Sequence, residues 1–375
     1  MSARVVHIIT SLDEGGAEAA LYRLCRYGPA GHQRVICVMD QGKYGPLLRQ
    51  AGVAVDCLGL RRGQFSAVAV LQLVRLLRRH RPAVVQTWMY HSDLIGGLAA
   101  RLAGIRRVVW GVRTSQLDPA LVSRSTLVVI RLCALLSRLL PDRIVCCAER
   151  ARQVHQRLGY VADRLDVIPN GYDLQALQPD PAAGMQLRAQ LQLPLHGPLL
   201  GMVARFDPQK DHRNLLEALA LLHRQGLRVP CLLVGSGLEA SNPELEVWLQ
   251  QLGLLEQIHL VGSRRDVPAV MNALSTHVLS SAYGEAFPNV LAEAMACGVP
   301  CIATDVGDSG LIMGSTGWLV PPRDPQALAD ALAAAVLEPE AKHQHRRCAA
   351  RQRIVDQFSI SRMVERYMGL YEALI

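Results

Sequence analysis

Aromatic residues make up only 5% of this 375-residue chain, with four Trp and four Phe. So thin a supply argues against the stacking platforms that hold single-stranded nucleic acid, although a net charge of +8 attracts anions. Long apolar runs are also missing: no uncharged apolar run reaches the roughly 18 residues that a spanning helix needs. The N-terminal Met-Ser-Ala-Arg leads directly into the strand-like Val5–Thr10, with no apolar segment ending in a cleavage site. The ten cysteines contain no C-x-x-C pair and mostly lie in apolar runs. They read as reduced core thiols, and the expected location is the cytoplasm. No Asp-x-Asp is present to bring a divalent metal to a phosphate, and no G-x-G-x-x-G either. Low-complexity tracts are lacking, so the chain should be globular throughout.

What remains is half apolar and rich in turns, with 30 Gly and 20 Pro. The length suits two domains. In the first half Val5–Thr10, Arg34–Met39, Val53–Leu58, Ala83–Thr87, Val108–Trp110 and Arg143–Cys147 read as strands. Helical patterns lie between them, notably Ala67–Arg79 and Leu94–Leu102. The second half repeats the pattern with Leu199–Ala204, Cys231–Val234, His259–Val261, Val278–Ser280 and, as its last strand, Cys301–Thr304. Such alternation predicts an α/β fold: doubly wound parallel sheets whose ligands lie beyond the carboxyl ends of the strands. The expected boundaries are a first domain over 1–175, a linker over 176–198, a second domain over 199–355 and a terminal helix over 356–375.

Candidate site residues fall at those strand ends. Gly15-Gly16 opens a helix after the first strand, either as a phosphate cradle or as an ordinary tight turn. His91, Arg113 and Asn170 follow later strands of the same half. Arg205 and Lys210 leave a strand end just before a helix expected from Leu215, a good place for a diphosphate. Gly235 and the turn Gly262-Ser263-Arg264 follow the next two strands. Then comes Ser281–Thr304, in which Pro288 can open a short helix and Gly298 close it. Glu285 stands before that helix and Glu293 inside it, so two carboxylates could face one ligand from two heights.

Leu121–Leu140 carries Arg124, Arg131 and Arg138 at seven-residue intervals on an otherwise apolar pattern. It reads either as a helix packed on the sheet with one wet face or as a basic stripe lying on an anionic bilayer. Arg75, Arg78, Arg79, Arg81, Arg106 and Arg107 add charge to the same half.

In their order along the chain, Gly15-Gly16-Ala-Glu18, Asn170-Gly171, Arg205…Lys210, Val234-Gly-Ser-Gly237 and Glu285…Glu293 resemble the retaining GT-B glycosyltransferases of family 4. The resemblance covers essentially the whole chain. It implies two Rossmann-like domains facing a central cleft, with the terminal helix returning to the first. It implies transfer of a sugar from a UDP-sugar or GDP-sugar, without metal or other cofactor, to a growing polysaccharide or lipid-linked glycan. By the family's pattern Arg205 and Lys210 hold the diphosphate, Glu293 the ribose, and Glu285 the donor sugar. Gly15, Gly16, Gly235, Gly262, Ser263 and Arg264 complete the donor side together with Phe287, Pro288, Asn289 and Val290. His91, Arg113 and Asn170 belong to the acceptor side, with His91 counted among the catalytic groups.

Two positions depart from the family's pattern. Arg113 stands about where the family carries a His, which leaves that contact to Arg113 or to His91. The turn Gly307-Asp-Ser-Gly310 lacks a Glu shortly after it. The expected partners are the nucleotide-sugar, the glycan acceptor and an anionic membrane surface on the cytoplasmic side, not nucleic acid. Competing expectations are a sugar-nucleotide epimerase on the same fold and a non-catalytic nucleotide-sugar-binding scaffold.

Overall fold

The computed structural model describes residues 4–60, 67–115, 117 and 122–375. The first three residues, and Leu121 of the arginine-striped stretch, lie outside the described residues. The chain forms two compact units, Met1–Gly171 with Ile360–Ile375 and Tyr172–Ser359.

Unit 1 holds a seven-stranded parallel sheet of β1 (Val5–Ile9), β2 (Gln33–Cys37), β3 (Ala54–Cys57), β4 (Val84–Trp88), β5 (Val108–Val112), β6 (Arg143–Cys146) and β7 (Leu165–Val167). Their order is β3-β2-β1-β4-β5-β6-β7, and β1 is an interior strand, with Val5 paired to Gln33 on one side and Val84 on the other. Every residue of β1, β4 and β5 is buried, which is why these strands are mostly apolar on both faces, with His7, Gln86 and Thr87 as buried polar exceptions. Helices cover both faces: α1 (Gly16–Tyr27), α2 (Tyr44–Gln50), α3 (Ala67–His80), α4 (Tyr90–Leu102), α5 (Arg124–Leu136) and α6 (Glu149–Arg157). In one layer α4 packs between α3 and α5. The sequence pattern did not announce α2 or α6; the nine residues of α6 include only one alanine and one valine as apolar groups.

The helix after β4 begins at Tyr90 and not Leu94, so His91 lies in its first turn. Asp93 draws the helix back against the sheet: its buried carboxylate accepts from the Thr87 hydroxyl at 2.5 Å and the Gly111 amide at 3.2 Å. Met89, at φ +72°, makes the sharp turn between strand and helix.

Unit 2 holds a six-stranded parallel sheet of β8 (Leu200–Val203), β9 (Cys231–Val234), β10 (Ile258–Leu260), β11 (Thr276–Leu279), β12 (Cys301–Thr304) and β13 (Trp318–Val320), in the order β10-β9-β8-β11-β12-β13. Cys301–Thr304 is therefore not the last strand. The edge strand β13 spans only three residues, too few for a sequence pattern, and pairs with it through Ile302 and Trp318.

The expected linker over 176–198 is largely structured and belongs to this unit. Asp180 caps α7 (Pro181–Gln190), and a Cβ at Gly184 would lie 2.2 Å from the Asn272 carbonyl oxygen, so the backbones touch. Buried Arg188 donates to the carbonyls of Ala273, Pro194 and Gly197 at 2.7, 3.0 and 3.1 Å. The remaining helices are α8 (His212–Arg224), α9 (Pro243–Leu252), α10 (Val267–Ala273), α11 (Asn289–Ala296), α12 (Ser309–Met313), α13 (Pro325–Val336) and α14 (Glu340–Phe358). Helix α8 starts at His212, three residues before the expected Leu215, because Asp211 caps it through the Asn214 amide at 3.2 Å.

The last helix, α15 (Ile360–Leu374), belongs to unit 1 and packs on α1. Met363, Tyr367 and Tyr371 are buried there, while Leu370 and Leu374 are half-buried at the edge of the same cluster. Eight cysteines are buried and Cys57 and Cys348 exposed; all ten are free.

Candidate active site

In unit 2 the polypeptide crosses the carboxyl end of β8 and immediately meets the loop after β11. Phe206 donates its amide to the Ser236 carbonyl at 2.8 Å, and Ala282 donates to the Gln209 carbonyl at 2.8 Å. The Ser280 hydroxyl bridges the carbonyls of Lys210 and Asp211, both at 2.9 Å. Together these bonds bring residue 210 beside residue 285, which are 75 positions apart. Lys210 Nζ lies 2.5 Å from Glu285 Oε1, and the Ser281 hydroxyl donates to the same oxygen at 2.7 Å.

Glu285 is 8% exposed and Lys210's side chain 16% exposed, so the pair sits at the lip of the protein rather than in its core. Arg205 is more open at 58%; its Nε donates to Asp207 at 2.9 Å and an Nη to Gln209 at 3.4 Å. Burial raises the Asp207 pKa, but the Gln209 amide and the Arg205 guanidinium outweigh it and hold the carboxyl below its usual range. The loop thus presents two cations and one well-ionised carboxylate at a helix N-terminus. Beneath it His212 and His277 are held neutral by burial, with the Lys210 charge acting in the same direction; their pKa values fall to about 4 and about 3.

The Glu285 loop is braced from the other side. Gly307, at φ +65°, lies so close that a Cβ there would sit 2.5 Å from the Glu285 carbonyl oxygen, and the Asp308 amide donates to Ala286 at 2.9 Å. The Thr304 hydroxyl donates to the Ser281 carbonyl at 2.6 Å. The short helix reads as expected: Pro288 is the N-cap of α11, Val290 and Glu293 are half-buried on it, and Gly298 closes it at φ +73°.

Phe287 and Asn289 turn elsewhere. The Phe287 ring stacks on Tyr172 at 6.5 Å and meets Phe358 edge-on at 5.5 Å, and it is 6% exposed. Asn289 accepts from the Tyr172 hydroxyl at 2.5 Å. Both side chains hold the entry of unit 2 together. An apolar ring of that size gains more from burial than from a wet site.

Gly235 and Gly262 meet each other: the Gly235 amide donates to the Gly262 carbonyl at 2.9 Å, and a Cβ at Gly235 would lie 2.0 Å from the Ala204 carbonyl oxygen. Ser263 follows on the exposed side of this turn. Arg264 is engaged twice by Asp266, at 2.8 and 2.6 Å, which directs its guanidinium along the loop.

In unit 1, Gly15 is the N-cap of α1 and Gly16 its first residue. A Cβ at Gly16 would meet nothing within 4 Å, but one at Gly15 would lie 2.2 Å from Glu18 Oε2. The chain's own carboxylate therefore lies across the glycine turn, and burial raises its pKa. An incoming phosphate would have to displace it.

Arg113 and Asn170 are joined directly, Arg113 Nη2 donating to Asn170 Oδ1. Arg113 also donates to the Tyr367 hydroxyl at 3.4 Å and lies over the Trp88 ring at 5.2 Å. Arg113 thus binds α15 into unit 1, and Asn170 holds Arg113. Half-exposed His91 sits one residue before Ser92, whose hydroxyl bonds Thr10 at 2.8 Å.

Sequence reading did not single out Ser280, Ser281, Gln209 or Asp93. The first two occupy a strand end beside the motif, a signal that was present; Gln209 and Asp93 act through long-range contacts that carry no local signature. Among the described residues no group of three or more His, Cys, Asp or Glu is arranged to hold a metal ion.

Residues 185–353 match the glycosyl transferases group 1 family and residues 14–176 match Glycosyltransferase Family 4. Among curated proteins the chain is 26% identical over 309 residues to the UDP-Gal:alpha-D-GlcNAc-diphosphoundecaprenol alpha-1,3-galactosyltransferase of Escherichia coli, covering 81% of this chain and 78% of that one. It is 37% identical over 205 residues to a D-inositol 3-phosphate glycosyltransferase of Frankia alni, covering 50% of this chain and 47% of that one. Among solved structures it resembles Anabaena HepE in complex with UDP, with a TM-score of 0.87 at 22% identity over 99% of this chain and 100% of that one. With two Rossmann-like sheets, the Arg205–Lys210 loop beside Glu285, and both halves matched to the corresponding families, the chain belongs to the family 4-like glycosyltransferases of the GT-B fold.

Proposed function

We propose that this glycosyltransferase works with retention of configuration and without a metal, moving a sugar from a UDP- or GDP-sugar to a glycan or lipid-linked glycan at an anionic membrane surface. One observation carries the reading: Lys210 and Glu285 share a contact at 2.5 Å at the carboxyl edge of the unit 2 sheet, with Arg205 on the same loop. As the sugar–phosphate bond breaks, negative charge grows on the diphosphate, and Lys210 and Arg205 supply cations for it. The bond from the acceptor oxygen to the anomeric carbon forms on the face the leaving group vacates. The acceptor's proton passes to a diphosphate oxygen, so atoms and charges balance without an added base. Glu285 accepts from donor-sugar hydroxyls and Glu293 from the ribose, positioning the donor rather than moving protons.

Support for a uridine donor comes from relatives: HepE is described in complex with UDP and with UDP-glucose, and the Escherichia coli relative is named for a UDP-galactose donor and a diphosphoundecaprenol acceptor. The test is a screen of UDP-, GDP- and ADP-sugars by thermal shift, then product analysis with an acceptor. Release of nucleoside diphosphate with retained anomeric configuration is expected. Epimerised donor without release would favour an epimerase, and the lack of nucleotide binding by calorimetry would favour a non-catalytic scaffold. Unchanged turnover in both Glu285→Ala and Arg205→Ala, with folding intact, would overturn the reading.

A further inference from the structure

At the amino edge of the unit 1 sheet, the C-terminal ends of α3 and α4 border a pocket of about 540 Å³. Arg78, Arg81, Arg106 and Arg107 line it, around Pro82, Gly104 and Ile105. Arg78, Arg81 and Arg106 are exposed. Arg78 donates to the Leu102 carbonyl at 3.0 Å and Arg107 to the carbonyl of Ile375 at 2.7 Å, so the walls are held in place. Arg81 takes a left-handed φ of +44° where its amide closes α3 onto Leu77. Glycine ordinarily fills such a position, and an arginine accepts backbone strain there.

Beside the pocket the same helix layer exposes large apolar side chains: Leu102 is 53% exposed, Leu135 72% and Leu139 70%. Val68 and Leu71 on α3 and Val128 and Leu132 on α5 are exposed as well. Arg75, Arg79, Arg131 and Arg138 are exposed between them. Across α3, α4 and α5 the lone carboxylate is Asp93, which is buried and bonded to Thr87. The acids at the neighbouring strand ends are engaged: Asp142 with Arg101 at 3.2 Å, and Asp56 with Arg34 at 2.8 Å. These three helices thus present arginine and leucine with no exposed carboxylate of their own, around a pocket of four arginines. Leucines alone would favour another apolar protein surface; the uniform positive charge is complementary to a bilayer with anionic headgroups.

We infer that this face docks on an anionic phospholipid bilayer, with the four-arginine pocket taking a lipid phosphate and Leu102, Leu135 and Leu139 entering the headgroup–acyl boundary. The inference rests on the membrane part of the function proposed above and is independent of its donor chemistry.

The test is co-sedimentation of the full chain with vesicles of phosphatidylcholine, with or without phosphatidylglycerol. Binding to the mixed vesicles alone is expected. Arg78→Gln/Arg81→Gln/Arg106→Gln should weaken it about a hundredfold, roughly fivefold per charge. Leu135→Ser/Leu139→Ser should weaken it about tenfold. Melting temperatures unchanged in both variants report folding and keep the donor reading separate. Equal binding to both vesicle types, no binding to either, or full binding by the triple-arginine variant would overturn the inference. Stabilisation by inorganic phosphate without vesicle binding would also overturn it and assign the pocket to a soluble phosphoester.

Discussion

Lys210 and Glu285 meet at 2.5 Å across 75 residues of sequence, and Ser281 shares the same carboxylate oxygen. An exposed ion pair contributes little, but this one joins the cation proposed to face a diphosphate to the carboxylate proposed to face a sugar. Each group orients the other before the donor arrives. Positioning of this kind lowers the reorganisation needed in the transition state.

Lys210→Ala should lower kcat about 10²–10³-fold, the usual effect of removing one group that stabilises growing charge. Glu285→Gln keeps the shape of the carboxylate but loses its charge, and it should fall less. Because the two act as a unit, the double variant should lose far less than the product of the single effects. Steady-state kinetics on the three variants decides this; strict multiplicativity would mean that the pair is not coupled.

Arg205 is the more exposed cation and is bonded within its own loop to Asp207. Arg205→Ala should therefore weaken nucleoside-diphosphate binding by calorimetry more than it alters stability. Arg205→Lys should restore binding in part, since the charge returns without the planar fork.

Gly307→Ala places a Cβ 2.5 Å from the Glu285 carbonyl oxygen and demands a left-handed backbone from an alanine. A stability loss of about 1–3 kcal/mol is expected, together with a lower kcat as the Glu285 loop shifts. Melting temperature and kinetics should move together; a normal kcat would show that the brace is not needed.

Chelation by EDTA should leave turnover unchanged, because Arg205 and Lys210 are proposed to supply the positive charge. Loss of turnover that magnesium or manganese restores would refute that part of the mechanism.

His7, His155 and His212 have pKa values lowered to about 4, and His277 to about 3, in each case chiefly by burial. The unfolded chain then binds protons near pH 6.5 that the folded chain refuses. The histidine contribution to stability is complete above that value and declines as the pH falls toward 4, by up to about 1.4 kcal/mol per pH unit per histidine, while buried Asp93, raised to about 8, offsets one histidine's share. Melting temperatures should drop steadily over that window. A flat profile between pH 6.5 and 5 would count against buried neutral histidines.

Much of the fold was legible because local physics repeats along the chain. Buried parallel strands must be apolar on both faces, so β1, β4, β9 and β12 could be read close to their true limits. Pro288 and Gly298 bracket α11 as their backbone preferences require. The candidate site was legible as an order of motifs, Arg205…Lys210 and then Glu285…Glu293. Short or polar elements were not: β13 has three residues, α6 has too few apolar positions, and the segment around α7 looked like a linker because its helix is anchored by Gly184 and Arg188 rather than by an apolar stripe.

Residue type and local spacing were enough to set strand cores, helix ends and the family likeness, since these depend on neighbours within a turn or two. Contacts between distant segments were decided only when the chain folded. The tertiary structure chose Glu285 as the partner of Lys210, turned Phe287 inward onto Tyr172 and Phe358, and joined Arg113 to Asn170 and α15. It also laid Glu18 across the glycine turn that the sequence had offered to a phosphate. Nothing in a local pattern encodes such pairings, because they arise from strand order and from which buried surface each side chain can reach.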